Sequence, residues 1–286
     1  MRLNWLRHSL LGMGLAIAAA QPVNAADKVL ERGNYLLNGI VACGNCHTPK
    51  GPDGKAIPGQ DLAGGTVIEV PVFRAVAPNI TPDRETGIGS WTDAQIITSI
   101  REGKRPDGSI IGPPMPIEMY RDLSDSDAKA LVAALRAAKP VANKTEKSTY
   151  KIPLPPAYGP PVGRVADVSP QNQVRYGGYL ASIGHCLECH TPDDKGRLIM
   201  TRLGGGGRML PSFPSGVVMS ANLTPGNPDG VAHWSSAQFK TTMRTGIRPD
   251  GRALVRTMAF DWYKSINDSD LNALLAYLRT LKPIKN

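Results

Sequence analysis

The feature that most constrains this chain is a short cysteine and histidine pattern that occurs twice. Cys43-Gly-Asn-Cys46-His47 precedes Thr-Pro, and Cys186-Leu-Glu-Cys189-His190 precedes Thr-Pro again 143 positions later. A fixed displacement between two copies of a pattern is the mark of an internal repeat. The chain is therefore predicted to contain the same structural unit twice.

The displacement extends well beyond the cysteines. It pairs Asn79 with Asn222, Trp91 with Trp234, Arg101 with Arg244, Arg105 with Arg248, Met115 with Met258, Tyr120 with Tyr263 and Pro140 with Pro283. We expect the register to run without a gap from the first cysteine to the last proline. Such a long repeat predicts two duplicated domains rather than two isolated motifs.

The repeated Cys-x-x-Cys-His pattern predicts two covalently attached haems of the c type. The cysteines form thioethers with the haem vinyl groups, and the adjacent histidine supplies a nitrogen ligand to the iron. A zinc site is disfavoured because the motifs belong to separate units, and a thioredoxin-like pair does not need the histidine. Disulfides are the remaining alternative in an exported chain. The predicted attachment residues are Cys43, Cys46, Cys186 and Cys189, and the predicted histidine ligands are His47 and His190.

The second axial ligand of each iron is predicted to be methionine. All four cysteines are used in attachment, and His47 is the only histidine in the first half after the leader. Met115 and Met258 are the one pair of methionines that the displacement superimposes. Prolines on both sides of Met115 stiffen its loop, so the Met258 site is predicted to be the looser one. Iron with both axial positions filled exchanges electrons without binding a substrate.

Other repeated polar residues are candidates for contacts with the haem propionates. Arginine matches a carboxylate in geometry, and a tryptophan N–H can donate while its ring packs on the haem. These candidates are Trp91, Trp234, Arg101 and Arg244, with Arg105 and Arg248 as alternatives to the two arginines. Asn79 and Asn222 are weaker candidates, since Asn-x-Thr-Pro is also a good turn sequence. His185 and His233 have no histidine partner in the repeat and are predicted not to be ligands.

The predicted fold is mainly α-helical. With 30 Gly and 25 Pro, short helices in turn-rich connections are expected. Ser169-Pro170 is predicted to open the helix before the second motif, and Ser124 and Asn267 are predicted N-caps of the last helix in each half. Residues 141–168 are rich in Pro and Lys, which predicts an extended linker.

The first 25 residues have the pattern of an export leader. Basic and then apolar residues precede Val23-Asn24-Ala25, a small-residue cleavage site, so cleavage near Ala25/Ala26 and a periplasmic mature chain that does not span the membrane are predicted. The predicted domains are then 26–140 and 169–286. The formal net charge of +9 fits either solubility alone or the steering of an acidic partner, and nothing in the sequence indicates nucleic-acid binding.

With these motifs, the chain resembles the cytochrome c subunits of bacterial periplasmic dehydrogenases that oxidise alcohols, aldehydes or sugar acids. The resemblance rests on both haem motifs, on Asn79 to Trp91, on Met115-Pro116 and on Leu123 to Asp127. It implies two tandem class I cytochrome c domains and a non-enzymatic role, in which electrons pass from a dehydrogenase to a cytochrome or oxidase acceptor. A di-haem peroxidase and a haem-binding sensor are alternatives, and both require an open axial position.

Overall fold

The computed structural model describes residues 24–194, 196–211, 216–228, 230–255 and 257–285. The predicted leader lies outside these residues except for its last two. Ala25 begins the first helix, and the Asn24 side chain caps it by accepting a hydrogen bond from the backbone N–H of Ala26 at 3.0 Å. No helix in the described part of the chain is long and apolar enough to cross a membrane.

The first half, up to residue 140, consists of five helices around a small antiparallel hairpin. In chain order these are α1 (Ala25–Leu37), α2 (Gly44–His47), β1 (Val67–Val70), β2 (Phe73–Val76), α3 (Asp93–Glu102), α4 (Ile117–Tyr120) and α5 (Asp125–Ala137). Ser124 caps α5, as predicted, by accepting from the N–H of Asp127 at 3.2 Å. The helices are short because turns rich in Gly and Pro interrupt them.

The second half, from residue 169, repeats this order. Its elements are α6 (Gln173–Ile183), α7 (Cys186–Cys189), β4 (Asp193–Asp194), β5 (Arg197–Leu198), β6 (Met209–Pro211), β7 (Val217–Met219), α8 (Ser236–Thr245), α9 (Phe260–Tyr263) and α10 (Asp268–Leu278), with 3₁₀ turns at Met200–Arg202 and Val231–His233. Asn267 caps α10, as predicted. The predicted cap at Ser169 is wrong, because α6 begins at Gln173 and the Asn172 side chain caps it.

The register of the repeat contains two compensating one-residue gaps. The N–H of Gly64 donates to the carbonyl of His47 at 2.7 Å, and that of Gly206 donates to the carbonyl of His190 at 2.8 Å, so the second loop is one residue shorter. The second hairpin is one residue longer, since Val67 pairs with Val76 but Met209 pairs with Met219, and the 143-residue displacement returns by Asn79 and Asn222. The expectation of an unbroken register is wrong in the loop and the hairpin, where the chain tolerates a change of length because it runs over the surface.

In each half the first and last helices cross, and the close approach at the crossing depends on a glycine. A Cβ at Gly33 would lie 1.9 Å from the carbonyl oxygen of Ala130, and one at Gly177 would lie 1.9 Å from that of Ala273. Only a glycine permits backbones to approach so closely. α1 therefore packs directly on α5, and α6 packs in the same way on α10.

Residues 141–168 contain no helix, and they add a strand to the first half. β3 (Thr149–Tyr150) pairs antiparallel with β2, with Phe73 opposite Tyr150. Further along, the carbonyl of Val165 accepts from the N–H of Asp125 at 2.9 Å. The segment is thus bonded to the surface of the first half rather than suspended between the halves.

The two halves also meet through reciprocal hydrogen bonds. The Tyr35 hydroxyl donates to Asp270 at 2.8 Å, and the equivalent Tyr179 hydroxyl donates to Asp127 at 2.7 Å. Arg32 adds a 2.8 Å ion pair to Asp127. Each aspartate lies in the first turn of the last helix of its half. The interface is therefore built from the same residues taken once from each half.

Candidate functional site

Both predicted histidine ligands are anchored in the same way. His47 ends α2 and His190 follows α7, and each Nδ1 lies 2.8 Å from a backbone carbonyl, that of Pro78 or of Ala221. A carbonyl oxygen can only accept, so Nδ1 carries the proton and Nε2 keeps its lone pair. A hydrogen bond of this kind orients a metal-bound histidine and increases its basicity. Burial lowers the pKa of both imidazoles, which keeps them neutral and able to bind iron.

None of the four cysteines forms a disulfide in the described part of the chain. Burial raises the pKa of Cys43 and Cys189 to about 12 and that of Cys186 to about 11. A thioredoxin-like nucleophilic thiol requires the opposite shift. Donor atoms of His185, Glu188 and Cys189 also lie within 4.8 Å of one another.

The two candidate methionine ligands occupy equivalent turns. Met115 precedes α4 and Met258 precedes α9, and the carbonyl of each accepts a 2.9 Å hydrogen bond from the N–H two residues on, Ile117 or Phe260. Both side chains are partly buried against the core. The repeat therefore preserves the backbone that presents each sulfur.

A cavity of about 220 Å³ lies in the second half. It touches all four residues predicted to hold the second haem, and most of its wall is apolar. The lining includes Cys186, Cys189, His190, Met258, Trp234, Arg248, Leu210, Val218, Phe239, Thr257 and Leu274. Histidine and methionine on the wall of one apolar cavity fit a flat, mostly apolar group with two axial ligands.

One buried polar atom in this cavity supports the same fit. The Thr257 hydroxyl, next to Met258, has no hydrogen-bond partner in the described part of the chain. Buried polar groups are rarely left unsatisfied. An unsatisfied hydroxyl on the wall is consistent with a bound group that supplies its partner.

The structure separates the predicted propionate contacts into two groups. Arg101 pairs with Asp125 at 2.8 Å, and Arg244 pairs with Asp268 at 2.6 Å. These two arginines hold the N-terminal turns of α5 and α10, which accounts for their place in the repeat. Arg248, the alternative to Arg244, lines the cavity instead.

The tryptophans and asparagines are placed as follows. Trp234 lines the cavity, with the Arg248 guanidinium 5.3 Å from its ring centre, and Trp91 packs against the core. Asn79 is buried and donates to the carbonyl of Val141 at 2.7 Å. Asn222 donates equally to the carbonyl of Ile284. The asparagines thus tie down the chain that leaves the last helix of each half.

Of the two histidines without a partner in the repeat, His185 lines the second cavity and His233 lies in the 3₁₀ turn Val231–His233. His185 has a left-handed backbone with φ of 44°, as its counterpart Ala42 has at 49°. Its ring meets the Tyr120 ring edge-on at 6.3 Å, and burial lowers its pKa to about 4. His233 Nε2 lies 2.7 Å from the carbonyl of Pro225.

Two tyrosines of the 141–168 segment hold the Met115 loop, which the sequence did not predict. The Tyr150 hydroxyl donates to the carbonyl of Pro113 at 3.0 Å, and its ring lies where a Cβ on Gly112 would be. The Tyr158 hydroxyl donates to the carbonyl of Ile111 at 2.8 Å. The only sequence signal was the presence of two tyrosines in a linker otherwise poor in aromatic residues.

Comparison with known proteins identifies the family. No family model matches the chain. A Diheme cytochrome c-type from Cereibacter sphaeroides is 30% identical over 263 residues, which cover 85% of this chain and 83% of that protein. The chain belongs to the dihaem c-type cytochromes. It is thus an electron-transfer protein that binds haem c covalently, rather than a catalytic subunit.

Longer relatives are subunits of dehydrogenases. The alcohol dehydrogenase (quinone) cytochrome c subunit of Gluconobacter oxydans is 30% identical over 304 residues, and the gluconate 2-dehydrogenase cytochrome c subunit of Pantoea cypripedii is 30% identical over 284 residues. The alignments cover 99% and 93% of this chain but 61% and 63% of those proteins. The chain spans about three-fifths of their length. These comparisons give no support to a di-haem peroxidase.

Proposed function

We propose that the chain is a periplasmic dihaem cytochrome, in which two tandem class I domains each hold one haem between a histidine and a methionine. When bound, each haem supplies a one-electron Fe(III)/Fe(II) couple. One site consists of Cys43, Cys46, His47 and Met115, and the other consists of Cys186, Cys189, His190 and Met258. The observation that carries the proposal is the equal anchoring of both histidines beside equivalent methionine turns.

The residues of each site have distinct tasks. The cysteines would fix the haem to the chain, and the carbonyl of Pro78 or Ala221 accepts from the imidazole Nδ1–H, which leaves Nε2 free to bind iron. The methionine would be the second ligand, and such a ligand would exclude substrates and raise the reduction potential relative to two histidines. Arg248 and Trp234 line the second cavity, which supports a role in binding a propionate.

The relatives suggest the redox partners. Because several are cytochrome subunits of alcohol, gluconate and fructose dehydrogenases, the donor is proposed to be a dehydrogenase of this broad class. The acceptor is proposed to be a cytochrome or a terminal oxidase. Export is proposed through the leader of residues 1–25, and the N-terminal sequence of the secreted protein tests this cleavage.

Methionine replacement tests the ligand assignment. Met115→Ala and Met258→Ala should each remove one share of the methionine–iron charge-transfer band near the red edge of the oxidised spectrum, and the double variant should remove all of it. Met119→Leu and Met200→Leu, one in each half, serve as controls and should leave the band intact. A full band in either alanine variant would refute that ligand.

A further inference from the structure

The β6–β7 hairpin forms an outer wall of the second cavity. Leu210 and Val218 are paired across the hairpin and line the cavity. Side chains alternate between the faces of a strand, so Met209, its partner Met219, and Val217 belong to the other face. These three side chains are called the methionine face. They are 62%, 66% and 63% exposed, respectively.

The corresponding hairpin of the first half is closed by its own chain. β3 pairs with the outer edge of β2, and the Ser148 hydroxyl accepts from the N–H of Val76 at 2.9 Å. Val76 is consequently only 7% exposed, although it corresponds to Met219. No strand pairs with the outer edge of β7 within the described residues. The same surface is therefore sealed in one half and open in the other.

The sequence around the two sites also differs in charge. Residues 195–256 of the second half contain nine Lys and Arg but only two Asp and no Glu. The corresponding residues 52–113 of the first half contain six Lys and Arg against eight Asp and Glu. A basic region attracts acidic proteins over a distance of about 10 Å at moderate salt. Charge therefore favours the second half as the place where an acidic partner arrives.

We propose that the methionine face is the docking surface for an acidic redox protein that exchanges electrons through the second haem site. The inference rests on the proposed electron-transfer function and adds the location and chemistry of the partner. Leu210 and Val218 on the opposite face of the same hairpin line the cavity, so a protein seated on the exposed methionine face lies beside the proposed haem site. Methionine side chains adapt to varied partners.

The size of the face indicates a transient partner. A stable interface uses about 20–30 residues on each side, whereas brief redox encounters are much smaller. Three apolar side chains suit the smaller class. A second copy of this chain is disfavoured as the occupant because two basic regions would then face each other, and like charges oppose association.

Stopped-flow mixing of the reduced dihaem protein with an oxidised, acidic plastocyanin tests the proposal. The Met209→Gln/Met219→Gln double variant should lose about tenfold in second-order rate, which corresponds to losing a few apolar contacts, while the Leu double variant should keep the rate. Val72→Gln is the matched control, since Val72 is 44% exposed at the turn of the first hairpin. Its rate should stay within about twofold of the original.

Ferricyanide serves as a small anionic oxidant that senses charge but needs no apolar surface. Its rate should not change in the Gln double variant, and the plastocyanin rate should fall with added salt. Full plastocyanin reactivity of the Gln double variant, or an equal loss in Val72→Gln, would overturn the docking site. The proposal would also be overturned if the unaltered protein sedimented as a dimer and the Gln double variant as a monomer, because the methionine face would then mediate self-association. If even ferricyanide fails to oxidise the unaltered protein, the proposed function itself fails.

Discussion

The two halves share the residues proposed to bind haem and differ in the chain that covers them. Both anchor a histidine through Nδ1 and both present a methionine from the same turn. In the first half, Tyr150 and Tyr158 hold the methionine loop. In the second half, Val255 occupies the position of Gly112 and is 47% exposed. A duplicated site can therefore keep its ligands while its surroundings acquire separate properties.

Replacing the crossing glycines should give the largest effect and should affect both halves equally. Gly33→Val and Gly177→Val each drive a side chain into a carbonyl 1.9 Å away, so the free energy of unfolding should fall by about 3 kcal/mol or more. Urea unfolding of each variant measures this. Gly163→Ala is the control, because nothing lies within 4 Å of its Cβ position. A large difference between the two valine variants would show that the crossings are not equivalent.

His185 should give the second half an acid sensitivity beyond that of the first half, which has Ala42 at the corresponding position. Burial lowers its pKa from 6.5 to about 4, so the folded state binds fewer protons than the unfolded state between these values. Stability should therefore fall as the pH drops from about 6.5 to about 4, by up to about 3 kcal/mol.

His185→Ala, which restores the residue found at position 42, should flatten this dependence. Urea unfolding as a function of pH measures the difference between the variant and the original. His233→Ala is the control histidine. An identical pH dependence for His185→Ala and the original would contradict the assignment.

Tyr150→Ala should make the first methionine loop resemble the second. The variant loses the hydrogen bond to Pro113 and the packing on Gly112 and Phe73, together worth about 2 kcal/mol. Imidazole should then displace Met115 about tenfold more readily, as the loss of the methionine–iron band reports. Before the substitution, imidazole should displace Met258 first. Equal displacement of Met115 and Met258 by imidazole would show that the tyrosines that hold the Met115 loop have no effect on the ligand.

The smallest effect is expected at the interface between the halves. Tyr35→Phe leaves Asp270 with a weak 3.4 Å contact to Tyr176 among the described residues, whereas Tyr179→Phe leaves Asp127 paired with Arg32 at 2.8 Å. Tyr35→Phe should therefore cost about 1.5 kcal/mol of unfolding free energy and Tyr179→Phe about 0.5 kcal/mol. Thermal unfolding of both variants and of Tyr158→Phe, which lies outside the interface, measures the order. The reverse order would contradict the role of Arg32.

The sequence was sufficient for those parts of the molecule that depend on residue type. The Cys-x-x-Cys-His motifs predict the cytochrome family that the comparisons identify, and the side chains of Ser124 and Asn267 predict the two helix caps. The assignment of Met115 and Met258 as ligands stays a prediction. The carbonyls of Pro78 and Ala221 were not predictable, because every residue has a carbonyl and only the fold aims one at a histidine. Arg101 and Arg244 also show what the sequence could not predict. Their repetition indicates a shared role, but only the structure shows that the role is an ion pair with Asp125 or Asp268.

The way in which residues 141–168 cover the first half could not be predicted from the sequence, for a different reason. A Pro-rich stretch without periodicity predicts an extended chain, but its path depends on the surface that it meets. β3 forms because β2 offers an unpaired edge, and that edge is created by distant parts of the fold. Cross-half bonds such as Tyr35 to Asp270 span 235 positions, beyond the reach of any local pattern.

The reciprocal Tyr–Asp hydrogen bonds have a consequence for the evolution of the two halves. Two identical proteins that associate about a two-fold axis contact each other through the same residues used twice, and the bonds from Tyr35 to Asp270 and from Tyr179 to Asp127 retain that pattern. The chain behaves in this respect as a fused homodimer. A protease cut between residues 141 and 168 should leave its two pieces associated, and the evolutionary counterpart of a change at Tyr35 should appear at Asp270, in the other half of the gene.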